Sequence, residues 1–266
     1  MKPLIVANWK CNPTTLQEAK RLFNSVKEEM RNLKNSEVVI CPPFVYLINL
    51  QLTRPTSPAS ELAGGRATYN LQLGAQDCFW EGKGAFTGEI SPLMLKNLGC
   101  EYVIVGHSER RKLGETDEMI NKKIKAALKV KLKPILCIGE TLEEKNTGLT
   151  RVKLNSQIKK GLQKISKKEI QDIIIAYEPL WAIGTGNPCE PKEAKKVYLF
   201  LRKILAPYQA CFGAGLKKIP ILYGGSVNSE NATSYIHEAN FQGLLVGGAS
   251  LKAEEFIKMV RIVSNY

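Results

Sequence analysis

Short runs of apolar residues alternate along this chain with stretches in which apolar residues recur every three to four positions. Several of the runs are rich in β-branched residues and predict buried β-strands: LIVAN from residue 4, VVICP from 38, LQLGAQ from 71, YVIVGH from 102, PILCIGE from 134, IIIAYEP from 173, PILYGGSV from 220 and GLLVGGAS from 243. The periodic stretches predict amphipathic helices over 14–33, 116–130, 151–165, 191–205 and 253–263. Most strands begin about 30 residues apart, the length of one strand with its crossover helix.

This alternation predicts a parallel sheet of the α/β class, because strands that read as continuous apolar runs must be covered by helices on their outer side. Eight strand–helix units in a chain of this length favour a closed (β/α)8 barrel over an open doubly wound sheet. The open sheet remains an alternative, although no GxGxxG motif follows the first strand, where a dinucleotide-binding sheet would carry one. No linker divides residues 1–266, so we predict a single domain with an atypical insertion at about 53–69, between helix 2 and strand 3.

The composition narrows the class of protein. A hydrophobic content of 44% in 266 residues supports a sizeable core, and no apolar run approaches the length of a membrane span. The N-terminal sequence MKPLIVANWK lacks the apolar region of a signal peptide, so we expect a cytoplasmic protein. Seven scattered cysteines without a CxxC pair, and only two histidines, predict neither a disulfide framework nor a metal site.

The net charge of +13 raises the question of an anionic partner. The lysines between 122 and 131 alternate with apolar residues at helical spacing, which is typical of the outer face of a surface helix. No nucleic-acid-binding motif is present, so we expect no nucleic-acid partner and no membrane partner. A basic field would still attract a small anionic substrate.

Polar or small residues directly follow several predicted strands. In a barrel of parallel strands the functional site lies at the carboxyl ends of the strands, so these residues are the candidates: Asn8 and Lys10 after strand 1, His107 after strand 4, Glu178 after strand 6, Gly224, Gly225 and Ser226 after strand 7, and Gly247 and Gly248 after strand 8. They supply a base, a hydrogen-bond donor and a fixed positive charge. Glycine-bearing turns after strands 7 and 8 let backbone N–H groups approach an anion, which predicts a small phosphate ester as substrate.

Each candidate also has a purely structural interpretation. Glu178 could pair with a neighbouring basic residue, Lys10 could be solvated, and the glycines could serve tight turns. His107 could merely precede a helix that Ser108 caps. The combination favours a catalytic role over a purely structural one, because four different strands each end in a residue type that one reaction requires.

The stretches ANWK from 7, GHSERR from 106, AYEPLWAIGTG from 176, YGGSVN from 223 and LVGGASL from 245 resemble the triosephosphate isomerase family along nearly the whole chain. The resemblance implies interconversion of dihydroxyacetone phosphate and D-glyceraldehyde 3-phosphate through an enediolate, in glycolysis and gluconeogenesis, without metal or cofactor. It makes Glu178 the catalytic base, His107 the electrophile, and Asn8 and Lys10 the substrate contacts. It assigns Gly184, Ser226, Gly247 and Gly248 to the phosphate, and places Glu109 near the lysine.

The resemblance also implies that 180–187 is a lid and that 77–91 is a loop entering a neighbouring subunit, with Thr87 near the partner's site. We therefore expect a homodimer, with an aromatic patch of Phe79, Trp80 and Phe86 on each protomer. The chain departs from the family at Asn187 and Pro188, where lysine usually follows the lid glycine, and in the short spacing of Arg111 and Glu115. The rival interpretation is a non-catalytic barrel that binds phosphate or nucleic acid, which would need neither Glu178 nor His107.

Overall fold

The chain folds as a closed barrel of parallel strands in sequence order. The structure, a computed structural model, describes residues 2–31, 33, 35–50, 70–184, 187–209 and 218–265. The strands are β1 Leu4–Asn8, β2 Glu37–Cys41, β3 Leu71–Ala75, β4 Cys100–Val105, β5 Lys133–Ile138, β6 Ile174–Tyr177, β7 Ile221–Tyr223 and β8 Gly243–Val246. Strand β1 pairs with both β2 and β8, which closes the sheet. The predicted (β/α)8 barrel is confirmed, and the open sheet is wrong.

Alternation along the strands separates two apolar layers. Leu4 and Val6 belong to the cluster inside the barrel, whereas Ile5 and Ala7 belong to the larger cluster between strands and helices. Because side chains on a strand alternate with a period of two, Asn8 continues the inward series of β1. Ile174 and Ala176 lie in the inner cluster of β6 in the same way, so Glu178 is the next inward position. The strand pattern therefore aims both residues at the barrel mouth.

Helices cover the outside of the barrel. Their bounds are α1 Leu16–Met30, α2 Phe44–Leu47, α3 Pro92–Asn97, α4 Ser108–Lys112, α5 Asp117–Lys129, α6 Leu142–Asn146, α7 Thr150–Gly161, α8 Lys167–Ile170, α9 Pro191–Gln209 and α10 Ala253–Ser264. The long helices were all predicted, with ends that differ by up to four residues. In α1, Thr15 caps the first turn by accepting the N–H of Glu18, and the buried face consists of Ala19, Phe23, Val26 and Met30.

Three local expectations need correction. Lys123 is not on a solvated face: it is 3% exposed and bonded to Asp77 and Glu115. The N-cap of α4 is His107 rather than Ser108. In the 77–91 loop, Phe79 is 8% exposed and packs against Trp80 and Phe86, so the three rings do not form one exposed patch.

Some predictions concern residues that the structure describes only in part. The predicted insertion at 53–69 lies outside the described residues, and so do Thr185 and Gly186 of the predicted lid. The six described cysteines are all free thiols. Among the described helices none is long and apolar enough to cross a membrane.

Candidate active site

A cavity of about 180 Å³ opens at the carboxyl end of the barrel. All the site residues predicted from the sequence line it: Asn8, Lys10, His107, Glu178, Gly184, Ser226, Gly247 and Gly248. They come from five strand ends and the segment after β6, far apart in sequence. The cavity is smaller than the roughly 300–1,000 Å³ of pockets for drug-sized ligands, which fits a small substrate.

Glu178 is held between two other strand ends. Its side chain is 3% exposed, and its Oε1 lies 3.1 Å from His107 Nε2. The backbone N–H of Ser108, in the first turn of α4, donates to Glu178 Oε2 at 3.3 Å. A β-carbon at Gly139 would lie 1.8 Å from the carbonyl oxygen of Glu178, so only glycine lets the end of β5 approach this closely. The carboxylate is thus fixed by its neighbours.

His107 ends the β4 segment and begins α4. Its Nδ1 accepts the backbone N–H of Glu109 at 3.2 Å. A ring nitrogen that accepts a hydrogen bond carries no proton, so this contact places the proton of a neutral imidazole on Nε2, which faces Glu178. The ring is therefore oriented as a donor into the cavity.

The two side chains shift each other's pKa. Burial raises the pKa of Glu178, but His107 and the Ser108 N–H lower it, and the net direction is below the usual value. Burial lowers the pKa of His107, while the Glu178 carboxylate raises it, and the net direction is upward. The carboxylate consequently stays ionised at neutral pH, in the form that accepts a proton. The upward effect on His107 depends on the carboxylate remaining in contact with the ring.

Lys10 has a constrained backbone. Its φ of 54° is in the left-handed region, which is uncommon for lysine. Asn8 Oδ1 accepts the Lys10 N–H at 3.0 Å, and Gln76 Nε2 donates to the Lys10 carbonyl at 2.8 Å. The Lys10 ammonium lies 2.6 Å from Glu109 Oε1, in a pair that is partly exposed on both sides. These contacts fix the ammonium at the rim of the cavity.

Glycines also line the cavity. A β-carbon at Gly248 would meet no atom within 4 Å, so the space beside its backbone is open to a ligand. At Gly247 the nearest atom to such a β-carbon is Lys10 Cε, at 3.4 Å. The Ser226 N–H donates to the Ala182 carbonyl at 3.1 Å, so this donor becomes available only when that contact opens. An anion here would meet backbone donors beside the Lys10 charge.

The segment after β6 is anchored at both ends. It begins as a 3₁₀ turn, Leu180–Ala182, in which the Trp181 indole N–H donates to Glu140 at 2.9 Å. At the far end the Cys189 N–H donates to the Tyr223 hydroxyl at 3.1 Å. Between these anchors Gly184 has a φ of 68°, a conformation that favours glycine.

Sequence analysis missed four residues that support this site. Gln76 and Glu140 are the last residues of predicted strands, so the rule that selected the other candidates could have selected them too. Tyr223 gave no such signal, because its importance comes from a contact with a distant part of the chain. Gly139 is a small residue at a strand end, but its close approach to the Glu178 carbonyl could be seen only in the structure. Among the described residues no group of three or more His, Cys, Asp or Glu side chains could hold a metal ion.

Comparisons with known proteins agree with this geometry. The family model described as triosephosphate isomerase matches residues 3–263. The chain belongs to the triosephosphate isomerase family. Curated relatives named triosephosphate isomerase include one from Endomicrobium trichonymphae, 44% identical over 261 residues covering 98% of both chains. Another, from Dehalococcoides mccartyi, is 46% identical over 263 residues, covering 98% of this chain and 96% of the relative. A third, from Dictyoglomus turgidum, is 42% identical over 261 residues, covering 98% and 99%.

Membership of the triosephosphate isomerase family decides between the two functions that the sequence left open. The match spans the strand ends that carry Asn8, His107, Glu178 and Gly248, and the relatives are named as isomerases rather than as binding proteins. The non-catalytic barrel that binds phosphate or nucleic acid is therefore not supported. A glutamate base opposite a neutral histidine at a helix N-terminus is the established description of this family's chemistry.

Proposed function

We propose that this chain interconverts dihydroxyacetone phosphate and D-glyceraldehyde 3-phosphate, with Glu178 as the base that moves a proton between adjacent carbons. The observation that carries the proposal is the buried, opposed pair of Glu178 and His107 at the barrel mouth, 3.1 Å apart. Glu178 is the ionised proton acceptor, and His107 is the oriented hydrogen-bond donor. Interconversion of a hydroxyketone and a hydroxyaldehyde needs these two groups on the two sides of the reacting carbons.

In the proposed reaction, Glu178 removes a proton from the hydroxymethyl carbon of the ketone and returns it to the neighbouring carbon. His107 gives its Nε2 proton to the ketone oxygen as that oxygen becomes negative, and takes up the proton of the neighbouring hydroxyl as the aldehyde forms. Lys10 stabilises the negative charge of the enediolate. Substrate takes the place of the direct Glu178–His107 contact. The carboxylate then no longer raises the imidazole pKa, and the Glu109 N–H and burial both favour a neutral ring. The proton returns to the substrate, so the reaction needs no redox cofactor.

The phosphate group is proposed to occupy the glycine-lined wall. Gly247 and Gly248 follow β8; the space beside Gly248 is open, and the neighbouring Gly247 lies next to Lys10. Gly184 and Ser226 complete the contacts when the segment after β6 closes over the substrate, a movement that must also release the Ser226 N–H from the Ala182 carbonyl. Closure excludes water from the enediolate, whose phosphate could otherwise be expelled. Asn8 is proposed to contact the substrate beside Lys10.

We propose a homodimer formed through the 77–91 loop. Phe86 is 43% exposed although its ring packs on buried Phe79, with ring centroids 4.8 Å apart. Burial of the exposed part of the Phe86 ring against a partner would stabilise a subunit contact. Thr87 is exposed on the same loop and would lie near the partner's site. By its chemistry the protein is proposed to act in the cytoplasm, in glycolysis and gluconeogenesis.

A coupled spectrophotometric assay with D-glyceraldehyde 3-phosphate tests the proposal. The purified full-length protein should turn over this substrate, and adding chelator should leave the rate unchanged because no step uses a metal ion. Circular dichroism on the same sample establishes that the protein is folded. A folded protein without turnover in either direction would defeat the proposed function.

A further inference from the structure

Cys189, which anchors the far end of the segment after β6, is held by both of its backbone groups. Its N–H donates to the Tyr223 hydroxyl at 3.1 Å, and its carbonyl accepts the Tyr235 hydroxyl at 2.6 Å. The residue is 2% exposed, and helix α9 begins two residues later, at Pro191. Two tyrosines from distant parts of the chain therefore define where the proposed lid ends and the helix begins.

The two tyrosines that hold Cys189 are stacked on each other. Their ring centroids lie 3.7 Å apart, the ring planes differ by 12°, and both side chains are buried. The Phe241 ring adds an edge contact to Tyr223, with 5.5 Å between the centroids. A ring that is packed on its face and its edge cannot tilt without losing these contacts. Tyr235 thus supports the position of the Tyr223 hydroxyl in addition to donating its own hydroxyl.

The Tyr223 side chain also lies against the turn that follows β7. A β-carbon at Gly225 would collide with the Tyr223 hydroxyl and with its Cζ, so any side chain at this position would displace the hydroxyl. Gly225 and the adjacent Ser226 line the candidate active site. The tyrosine pair therefore connects the far end of the proposed lid to the turn that carries Ser226, one of the proposed phosphate contacts.

The backbone around Tyr235 is itself constrained. Tyr235 lies in one turn of π-helix, Ser234–Glu238, in which the Ala239 N–H donates to the Ser234 carbonyl at 3.0 Å. The Phe241 N–H donates to the Tyr235 carbonyl, also at 3.0 Å. Turns of π-helix are rare and occur frequently at functional sites. The Tyr235 side chain is therefore presented to Cys189 from a well-defined segment between β7 and β8.

We propose that Tyr235 is a positioning residue for the lid. Its hydroxyl holds the Cys189 carbonyl, and its ring keeps Tyr223 against the Cys189 N–H, so the far end of the lid stays in place while the part that carries Gly184 moves over the substrate. A fixed end returns Gly184 to the same position at each closure, where the proposed phosphate contact forms. The effect on turnover rests on the proposed function, whereas the attachment of Cys189 does not.

Amide hydrogen exchange of the full-length protein, followed by NMR, tests the attachment without any need for turnover. Tyr235→Phe keeps the stacked ring but removes the hydroxyl, so the buried Cys189 carbonyl loses this donor. Local opening of the segment then becomes easier, and the Cys189 N–H should exchange at least about fivefold faster than in the wild type. The Gly224 N–H, which donates to the Tyr177 carbonyl within the barrel, should exchange at the wild-type rate.

Activity with D-glyceraldehyde 3-phosphate tests the positioning role. In Tyr235→Phe, kcat/KM should fall at least about fivefold, because the anchored conformation of the lid is less populated. Tyr102→Phe is the matched control: it removes the hydroxyl of a similarly buried tyrosine, which donates to Glu37 at the amino ends of the strands. This variant should leave kcat/KM within about twofold and Cys189 exchange unchanged, even where it lowers the unfolding midpoint.

Three results would overturn the proposal. Unchanged Cys189 exchange in Tyr235→Phe would show that the hydroxyl does not hold this residue. Equal acceleration at the Cys189 and Gly224 N–H groups would indicate general destabilisation of the fold. Faster Cys189 exchange with unchanged kcat/KM would show that the attachment does not position the lid. Absence of turnover by the wild-type protein would instead defeat the proposed function, and the exchange result would still decide whether Tyr235 holds Cys189.

Discussion

Two glutamates of the candidate active site have opposite surroundings and hence different expected roles. Glu178 is buried, bonded to His107, and constrained by glycines on the neighbouring strands. Glu109 is half exposed and paired with Lys10. A partly exposed pair contributes little to stability, so the Lys10–Glu109 contact is better explained as holding the ammonium in position. In the proposed reaction, Glu178 is the residue whose exact placement matters for proton transfer.

Gly248→Val is expected to weaken substrate binding without destabilising the fold. A β-carbon at Gly248 meets no protein atom within 4 Å, so the added side chain projects into the space proposed for the phosphate. The KM for D-glyceraldehyde 3-phosphate and the calorimetric Kd for inorganic phosphate should each rise at least about tenfold, or about 1.4 kcal/mol. The thermal unfolding midpoint should stay unchanged. Unaltered phosphate binding would mean that the anion site lies elsewhere.

Gly224→Ala is expected to have the opposite kinetic signature. The new β-carbon would lie 2.9 Å from Glu178 Cγ, and the carboxylate would have to move. Misplacing a catalytic group by about 1 Å can cost roughly 10²-fold, so kcat should fall by about tenfold or more while phosphate affinity is kept. Steady-state kinetics of the two glycine variants, measured side by side, provide the comparison. If Gly224→Ala changed only KM, the steric argument about Glu178 would be wrong.

Two of the site residues could be predicted from the sequence for the same physical reason. Asn8 and Glu178 extend the inward-facing series of an apolar strand, so a period of two and a polar terminus were enough to select them. The role of Gly139 could not be predicted in this way, since its requirement for glycine comes from the Glu178 carbonyl on the adjacent strand. Tyr223 ends β7 as an apparently ordinary core residue, and its hydroxyl contact with the lid anchor depends on tertiary structure.

The secondary-structure elements that the sequence predicted are likewise those with a clear local pattern. Helices such as α1 and α5 were predicted because they are long enough for apolar periodicity to be read. The five-residue helix α4 was predicted only as a helix start with Ser108 as its cap, and the cap is instead His107, whose ring accepts a backbone N–H. Helix α9 runs past its predicted end at 205 and contains Pro207. Pro207 lacks the N–H of one intrahelical hydrogen bond and its ring crowds the carbonyl four residues earlier, yet the helix continues two residues beyond it.

The hydrogen bond from the Cys189 N–H to the Tyr223 hydroxyl anchors the far end of the lid to β7, and its loss should lower activity. Tyr223→Phe removes the acceptor for the buried Cys189 N–H and leaves that donor unpaired. Loss of a partner for a buried donor costs about 1–3 kcal/mol, and here the cost falls on the anchored conformation of the lid. We expect kcat/KM to fall by roughly 5- to 150-fold.

A second tyrosine provides the control for this variant. Tyr198→Phe in α9 removes a hydroxyl that bonds Arg202 and Gln242, away from the lid. It should lower the unfolding midpoint without a comparable loss of kcat/KM. If the two variants lost activity equally, the effect of Tyr223 would reflect general destabilisation and not lid geometry.

At the scale of the whole molecule, the candidate active site and the connections that lead into the strands lie at opposite ends of the barrel. The candidate active site is at the carboxyl ends of the strands, whereas the chain from α2 re-enters the barrel at the opposite end of β3. There Asn70 accepts the Val38 N–H and donates to the Leu33 carbonyl. The predicted insertion at 53–69 lies outside the described residues, but its attachment point is remote from Glu178. Insertions at such an end are tolerated because loop-closure cost grows slowly with length.

Shortening 54–67 to a few polar residues is therefore expected to leave kcat/KM within roughly threefold, a change of under about 0.7 kcal/mol in transition-state stabilisation. Activity and mass by light scattering, measured over one dilution series, check this prediction. If the segment instead supports the proposed dimer, dissociation and loss of activity should occur together. A shortened protein that stays dimeric but loses most of its activity would contradict both possibilities.

Hydrogen exchange into the substrate distinguishes base catalysis by Glu178 from any other use of this cavity. Dihydroxyacetone phosphate incubated with the protein in D2O should gain one deuterium at the hydroxymethyl carbon, as seen by proton NMR, because the base exchanges the abstracted proton with solvent. Glu178→Gln keeps the shape of the side chain but cannot accept a proton, so exchange should slow by at least about 10²-fold with little change in phosphate affinity. Glu254→Gln, at an exposed position of α10, should exchange as the wild type does. Exchange by folded Glu178→Gln at the wild-type rate would contradict the role of Glu178.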